Sequence, residues 1–320
     1  MFDTLKEIHI SDIDIKDERY RISSESENIA FLAHSIKEMG LMNPPVVRPV
    51  NDGKFILISG FNRIKALQHN NESKVQVRPT GAEIDDYHCL LFAVAALAFR
   101  RPLTQVELII SVKLLSGYLD RENMAKMSSA VFNTQLAQGF IDDLMNIGSL
   151  PNPALDLIQT GQLSLKSAKK LIHLDMDGIS FFLDIFSKTR ASASVQLELI
   201  QNILETAARE GVHPKSLFQE LNIPDPLDDE TADMAVRTHC FRTLVFEQRY
   251  PVLSRTRQRV QDKIASIKLP GTIQLIPSKN FESRKYAISF TVKNHDEFEK
   301  NIQHLTEALE NKALREILDS

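Results

Sequence analysis

Between Ile56 and Leu67 the chain reads ILISGFNRIKAL: an apolar run closes on Ser59 and Gly60, and Arg63 and Lys65 follow two residues apart. A strand, a glycine turn and the first turn of a basic helix can receive an anion. Glycine lets backbone N–H groups approach a phosphate, a helix N-terminus favours negative charge, and the two cations add charge of their own. The same residues also fit an ordinary turn in which Arg63 pairs with a carboxylate.

Other chemistries are poorly supplied. Cys89 and Cys240 lie far apart with no CxxC spacing, and Cys89 sits inside the apolar block CLLFAVAALAF, where a small core residue is expected. His34, His69, His88 and His173 show neither HxxxH nor HExxH spacing, so no metal site is expected. No carboxylate cluster with a nearby base supports two-metal hydrolysis, and no catalytic residue is assigned.

The elements that must position Gly60, Arg63 and Lys65 follow from local pattern. EIHISDIDI reads as a strand, residues 27–39 as a helix stopped by Gly40, PPVVRPV as a strand, Asn51-Asp52-Gly53 as a turn, and KFILIS as the strand that feeds the glycine turn. From Leu103 to about Leu221 the pattern becomes helical, with segments such as FIDDLMNIGSLP and LKSAKKLIHL punctuated by Gly or Pro. PDPLDDETAD, residues 224–233, has five acids and no base and reads as a linker. Beyond it come a helix, a basic segment, the strands TIQLIP and YAISFTV, and a final helix from Asp296 to Leu309. The expected division is 1–102, 103–223, a linker at 224–235, and 236–320.

The chain has 320 residues, 43% of them apolar, enough for two or three cores. Its longest apolar block falls short of the roughly 20 residues of a membrane crossing, and its first residues are too charged for a signal sequence, so a cytoplasmic location without membrane contact is expected. Net charge is −4, so any nucleic-acid contact must come from local patches.

Three such patches stand out. Glu122 to Gly148 has the pattern of a helix-turn-helix, with Asn133 to Leu136 as the turn and Gln138 to Gly148 as the recognition helix; Asn133, Thr134, Gln135 and Gln138 are the candidates for base or phosphate hydrogen bonds. Residues 119–150 carry only Arg121 and Lys126 against Asp120, Glu122, Asp142 and Asp143, which weakens attraction to phosphate. Ser164, Lys166, Ser167, Lys169 and Lys170 gather at the start of a later helix as candidate phosphate contacts. Arg249 to Lys268 holds six bases and one acid, and Arg255 and Arg259, four apart, would share one helix face while Arg257 points aside. That stripe suits a DNA backbone or an acidic partner such as the linker.

HSIKEMGLMNPPVVRP followed by GKFILISGFNRIKAL resembles the N-terminal domain of the ParB/RepB partition-protein family, with its Gly-Leu-x-Gln-Pro and Gly-Glu-Arg-Arg boxes in the same order and at similar spacing. GFIDDLMNIGSLP and LIQTGQLSLKSAKKLI extend the resemblance into the family's helix-turn-helix region, so that it covers Ile8 to about Leu174. It implies an α+β fold: a ParB/sulfiredoxin-like N-terminal domain, an all-helical helix-turn-helix middle domain and a small α+β C-terminal module. It also implies a pocket for cytidine triphosphate (CTP) with Mg²⁺ at the glycine turn. Gly60, Arg63, Lys65 and Ala66 fall on the family's glycine, second arginine, third basic residue and alanine. Asn43 and Pro44 fall on its Gln-Pro, Arg21 on an early arginine facing the same pocket, and Asn62 and Arg100 complete the set.

The departures bear on catalysis. Phe61 and Asn62 replace the Glu-Arg of the box, and Ala96, Leu97 and Arg100 stand where the family has Glu, Asn and Arg. Mg²⁺ requires oxygen ligands, so efficient hydrolysis is not expected. A cysteine-based sulfiredoxin chemistry is excluded because the corresponding position is Phe61. The implied function is DNA binding in chromosome or plasmid partitioning, or in maintenance and regulation of a mobile element. A homodimer, a nucleoid or replicon association and a partner ATPase are implied with it. An active CTP-dependent DNA clamp and a protein-interaction module without DNA binding are the alternatives.

Overall fold

The computed structural model describes residues 2–23, 28–220, 227, 231–278 and 285–318. It divides into two compact units, Met1–Leu197 and Glu198–Ser320. Half of the acidic segment expected as a linker at 224–235 lies outside the described residues, as does the expected helix start at Glu27.

The first unit opens on a five-stranded sheet in the order β1-β5-β3-β4-β2. Its strands are β1 (Lys6–His9), β2 (Ile13–Asp14), β3 (Val46–Pro49), β4 (Phe55–Ser59) and β5 (Lys74–Pro79). EIHISDIDI is therefore two strands. A one-turn 3₁₀ segment, Ile10–Asp12, breaks the run, and its halves go to opposite sheet edges: β1 pairs antiparallel with β5, and β2 parallel with β4. β3 and β4 form a hairpin through Asp52 and Gly53, both at positive φ, the conformation that Asp and Gly tolerate at a tight turn.

Helices α1 (Ile29–Met39) and α2 (Phe61–His69) pack together on one face of this sheet. Phe55 and Leu57 of β4 join Ile64 and Leu67 of α2 in the core there. Alternate residues of a strand point to opposite faces, and Ile56 and Ile58 are also buried, on the side where α3 (Asp86–Ala98) packs against β4. Covered on both faces, β4 must be apolar throughout, which accounts for the uninterrupted FILI before the glycine turn.

Seven helices follow: α4 (Gln105–Leu115), α5 (Arg121–Phe132), α6 (Gln138–Ile147), α7 (Asn152–Gln159), α8 (Leu165–Leu171), α9 (Met176–Lys188) and α10 (Ala193–Glu210). The starts of α4, α5, α8 and α9 are set by side-chain caps from Thr104, Asp120, Ser164 and Asp175. Ile109, Met124, Ile141, Leu144, Phe182 and Phe186 form fully buried parts of their core.

The second unit begins within α10 and continues through α11 (Leu217–Glu220), α12 (Met234–Arg249), α13 (Pro251–Ile267), the antiparallel pair β6 (Ile273–Pro277) and β7 (Tyr286–Phe290), α14 (His295–Ala308) and α15 (Lys312–Leu318). Glu198 pairs with Arg242 at 2.7 Å and Glu205 with Arg249 at 2.6 Å, so equal seven-residue steps along α10 and α12 stay in register and the two helices run parallel. Ile267, Leu275, Ala308, Leu314 and Ile317 form a small core. No helix among the described residues is long and apolar enough to cross a membrane.

Candidate anion pocket and nucleic-acid interface

β4 delivers the chain to Gly60 at φ 101°, a left-handed conformation, and α2 starts at the next residue. A Cβ at Gly60 would stand 2.9 Å from Cβ of Pro45, so this turn accepts glycine alone without a shift. Around it lies a cavity of about 570 Å³, within the usual range for small-molecule sites. Four segments line it: residues 20–23, the end of α1 with the loop to Pro44, the glycine turn with Phe61, Asn62 and Arg63, and the C-terminal part of α3 with Arg100.

Seven of the eight residues expected at the site line this one cavity: Arg21, Asn43, Pro44, Gly60, Asn62, Arg63 and Arg100. Lys65 does not, and here the sequence expectation is corrected. Successive helical residues turn by about 100°, so Lys65 lies roughly 200° around α2 from Arg63; it is exposed, on the opposite face. Arg63 reaches back to the loop after α1, donating to the carbonyls of Asn43 and Pro44, the latter at 3.2 Å. Arg21 lies with its guanidinium 5.7 Å from the Phe61 ring centre, donates through Nε to the Ser23 carbonyl at 3.2 Å and pairs with Glu18. The described lining thus contains three guanidinium groups and no carboxylate.

Several residues that shape the pocket carry no sequence signal of their own. Tyr20, 2% exposed, receives a hydrogen bond from Arg48 Nη1 at 2.9 Å, and its hydroxyl meets Asp86, which also pairs with Arg48. Burial, then the contact with Asp86, pushes the Tyr20 phenol well above its ordinary pKa, so it stays neutral. This knot joins the 20–23 segment, β3 and the start of α3. Glu107 is a second buried group: Arg101 grips it with two nitrogens at 2.7 and 2.8 Å, and the Thr104 backbone N–H donates to it at 2.9 Å. Burial alone would raise the Glu107 carboxyl, but hydrogen bonds from Arg101, Ser23 and Thr104 outweigh it and hold the pKa below the ordinary glutamate value.

A carboxylate whose pKa is lower in the folded than in the unfolded chain contributes stability above the unfolded value, about 4.3, and that contribution is lost as pH falls through the folded value. Denaturant unfolding followed from pH 5 to pH 3 is therefore expected to show a smaller loss of stability in Glu107→Gln than in the native chain.

Where a helix-turn-helix is expected, α5 and α6 follow one another across a short turn and pack on each other. Asn133 takes φ 52° as the C-cap of α5, and the Leu136 N–H donates to the Ser128 hydroxyl at 3.1 Å, fixing the turn. Asn133, Thr134, Gln135 and Gln138 are all exposed. Ser128→Ala leaves a buried N–H unsatisfied and is expected to cost about 1–3 kcal/mol in denaturant unfolding. The acids of α6 are each neutralised by a neighbour: Asp142 by Arg121 at 2.8 Å and Asp143 by Lys169 at 2.6 Å. The repulsion anticipated from composition is reduced, and Lys169 is occupied in doing so.

The serines expected to join the lysines of α8 at a phosphate are corrected. Ser167 is fully buried and its hydroxyl meets that of Ser164, which caps α8 and receives the Ser167 N–H. Lys166 and Lys170 remain exposed. In the second unit Arg255 and Arg259 are exposed on one face of α13, while Arg257 turns onto the Phe246 ring, 5.0 Å from its centre.

Residues 2–87, which include Arg21, Asn43, Pro44, Gly60, Asn62 and Arg63, match the family model described as the ParB N-terminal domain. This N-terminal region is similar to that domain, and the chain as a whole is similar to ParB partition proteins. Among its ParB relatives, the "Probable chromosome-partitioning protein ParB" of Chlamydia trachomatis is 27% identical over 55% of this chain and 63% of its own length. That of Chlamydia muridarum is 28% identical over 61% and 70%, and that of Pseudomonas putida 24% over 48% and 51%. The chain thus spans roughly half to two-thirds of the length of the ParB proteins it matches. A Caulobacter crescentus ParB complexed with CTP-gamma-S aligns with 58% of this chain and 99% of its own at 21% identity, with a TM-score of 0.28. The same protein complexed to the centromeric parS site aligns with 67% and 99% at 18% identity, with a TM-score of 0.37.

Proposed function

We propose that this chain is a DNA-binding partition protein whose N-terminal domain binds a nucleoside triphosphate, CTP by family resemblance, without efficient hydrolysis. The observation that carries the reading is the convergence of Arg21, Arg63 and Arg100, from three separate segments, on one cavity closed by Gly60. Guanidinium forks suit phosphate oxygens, and the size of the cavity suits a nucleotide.

Magnesium fits less well as an ion held by the protein. It prefers oxygen ligands, and the described lining offers no carboxylate; nor do the described residues contain a group of three or more His, Cys, Asp or Glu able to hold a metal. Phe61, Ala96 and Leu97 supply neither a base nor a metal ligand at the pocket wall. The described residues therefore bind and orient an anion, and no described residue in the wall is placed to activate water.

DNA contact is assigned to Asn133, Thr134, Gln135 and Gln138 at the helix-turn-helix, with Lys166 and Lys170 beside it and Arg255 and Arg259 on α13. A homodimer through the C-terminal module belongs to the same proposal, supported by the half-exposed Ile276, Ile288 and Ile302 on a two-stranded sheet and its neighbouring helix. A partner ATPase follows from the family resemblance alone.

The test is selection of a DNA site followed by binding at rising salt. Affinity is expected to fall steeply, and replacing both Arg255 and Arg259 by alanine is expected to reduce the slope of log K against log salt by about 2. A salt-independent affinity, or none, would leave a protein-interaction module as the better reading.

A further inference from the structure

We propose that Glu107 is a positioning residue of the anion pocket, setting two of its three arginines from behind the wall. The inference rests on reading the cavity as an anion site. Glu107 lies on α4, outside the pocket lining, and is 2% exposed. Its carboxylate is shared by both ends of the pocket rim. On one side it accepts from the Ser23 hydroxyl, and the carbonyl of Ser23 accepts from Arg21 Nε at 3.2 Å. On the other it takes both terminal nitrogens of Arg101, whose neighbour Arg100 turns to the cavity.

The carboxylate is itself fixed. Thr104 and Glu107 form a reciprocal capping box at the start of α4, the Thr104 hydroxyl receiving the Glu107 N–H at 3.2 Å and the Thr104 N–H donating to the carboxylate. A buried carboxylate with hydrogen bonds from three residues has little freedom, so it can hold two chain segments in a fixed relation. Lys113, further along α4, donates to the Gly148 carbonyl at the end of α6 at 2.6 Å, so the helix that carries Glu107 is also tied to the helix-turn-helix.

The test compares the native full chain with Glu107→Gln and Ser23→Ala. Amide hydrogen exchange reads the wall without any ligand, and CTP titration reads the pocket. Ser23→Ala keeps the Arg101 pair and the capping box, so it reports on the link even if Glu107→Gln folds poorly. Exchange at residues 21–23 is expected to rise at least threefold in both variants, while that of α9 stays as in the native chain. CTP affinity is expected to fall about threefold to tenfold in both. Unchanged exchange at 21–23 in Ser23→Ala overturns the proposal, as does unchanged CTP affinity where the native chain binds CTP. If the native chain binds no CTP but exchange at 21–23 rises in both variants, the positioning role stands and the nucleotide reading fails.

Discussion

Gly60→Ala is expected to lower the stability of the N-terminal unit by about 3 kcal/mol, from the left-handed backbone penalty of roughly 1–2 kcal/mol and an overpacking cost of roughly 1–3 kcal/mol. The glycine sits at φ 101°, and the added methyl would press on Pro45 at 2.9 Å, against the loop that carries Asn43 and Pro44. Relief requires the glycine turn and that loop to separate, which opens the pocket. For a unit of this size the change corresponds to a fall of roughly 6–12 °C in melting temperature, and CTP binding should weaken with it. A melting temperature within a degree of the native value would show that the turn has room the geometry denies.

Arg63→Ala is expected to weaken CTP binding by roughly tenfold to a hundredfold. Hydrogen bonds involving a charged group contribute about 1.5–3 kcal/mol, and each 1.4 kcal/mol is about tenfold in affinity. Two effects combine: a cation is lost from the cavity wall, and the carbonyls of Asn43 and Pro44 lose their donor, so the loop that faces the glycine turn is released. Lys65→Ala is the matched control. It removes the same charge two residues away, but from the exposed face of α2, and should change affinity by no more than about twofold, as expected for an exposed charge screened by salt. Calorimetric titration of both variants checks the pair, and equal losses would return Lys65 to the pocket.

What could be read from the sequence was local. The FILIS strand, the glycine turn and the helix after it follow from an apolar run, one residue and a period, all within fifteen positions. The succession of α5, the turn at Asn133 and α6 was readable for the same reason. The division of EIHISDIDI into two edge strands was not, because β1 is defined by a partner more than sixty residues away. The knot of Tyr20, Arg48 and Asp86 joins positions 28, 38 and 66 apart and leaves no spacing to detect. Lys65 is different: its expected place in the pocket rested on a charge two residues from Arg63 and on a matched motif, and neither takes account of the helical turn that separates the two side chains. Ser167 was misread because an N-capping serine and its neighbour three residues on satisfy each other before they can meet a phosphate.

The direct test is calorimetric titration of the native chain with CTP, with and without Mg²⁺, with released phosphate measured in parallel. Binding in the micromolar range under both conditions, without phosphate release, is the predicted result. Binding that requires Mg²⁺ and is followed by phosphate release, or no binding under either condition, would contradict an arginine-lined pocket that holds a nucleotide without turning it over.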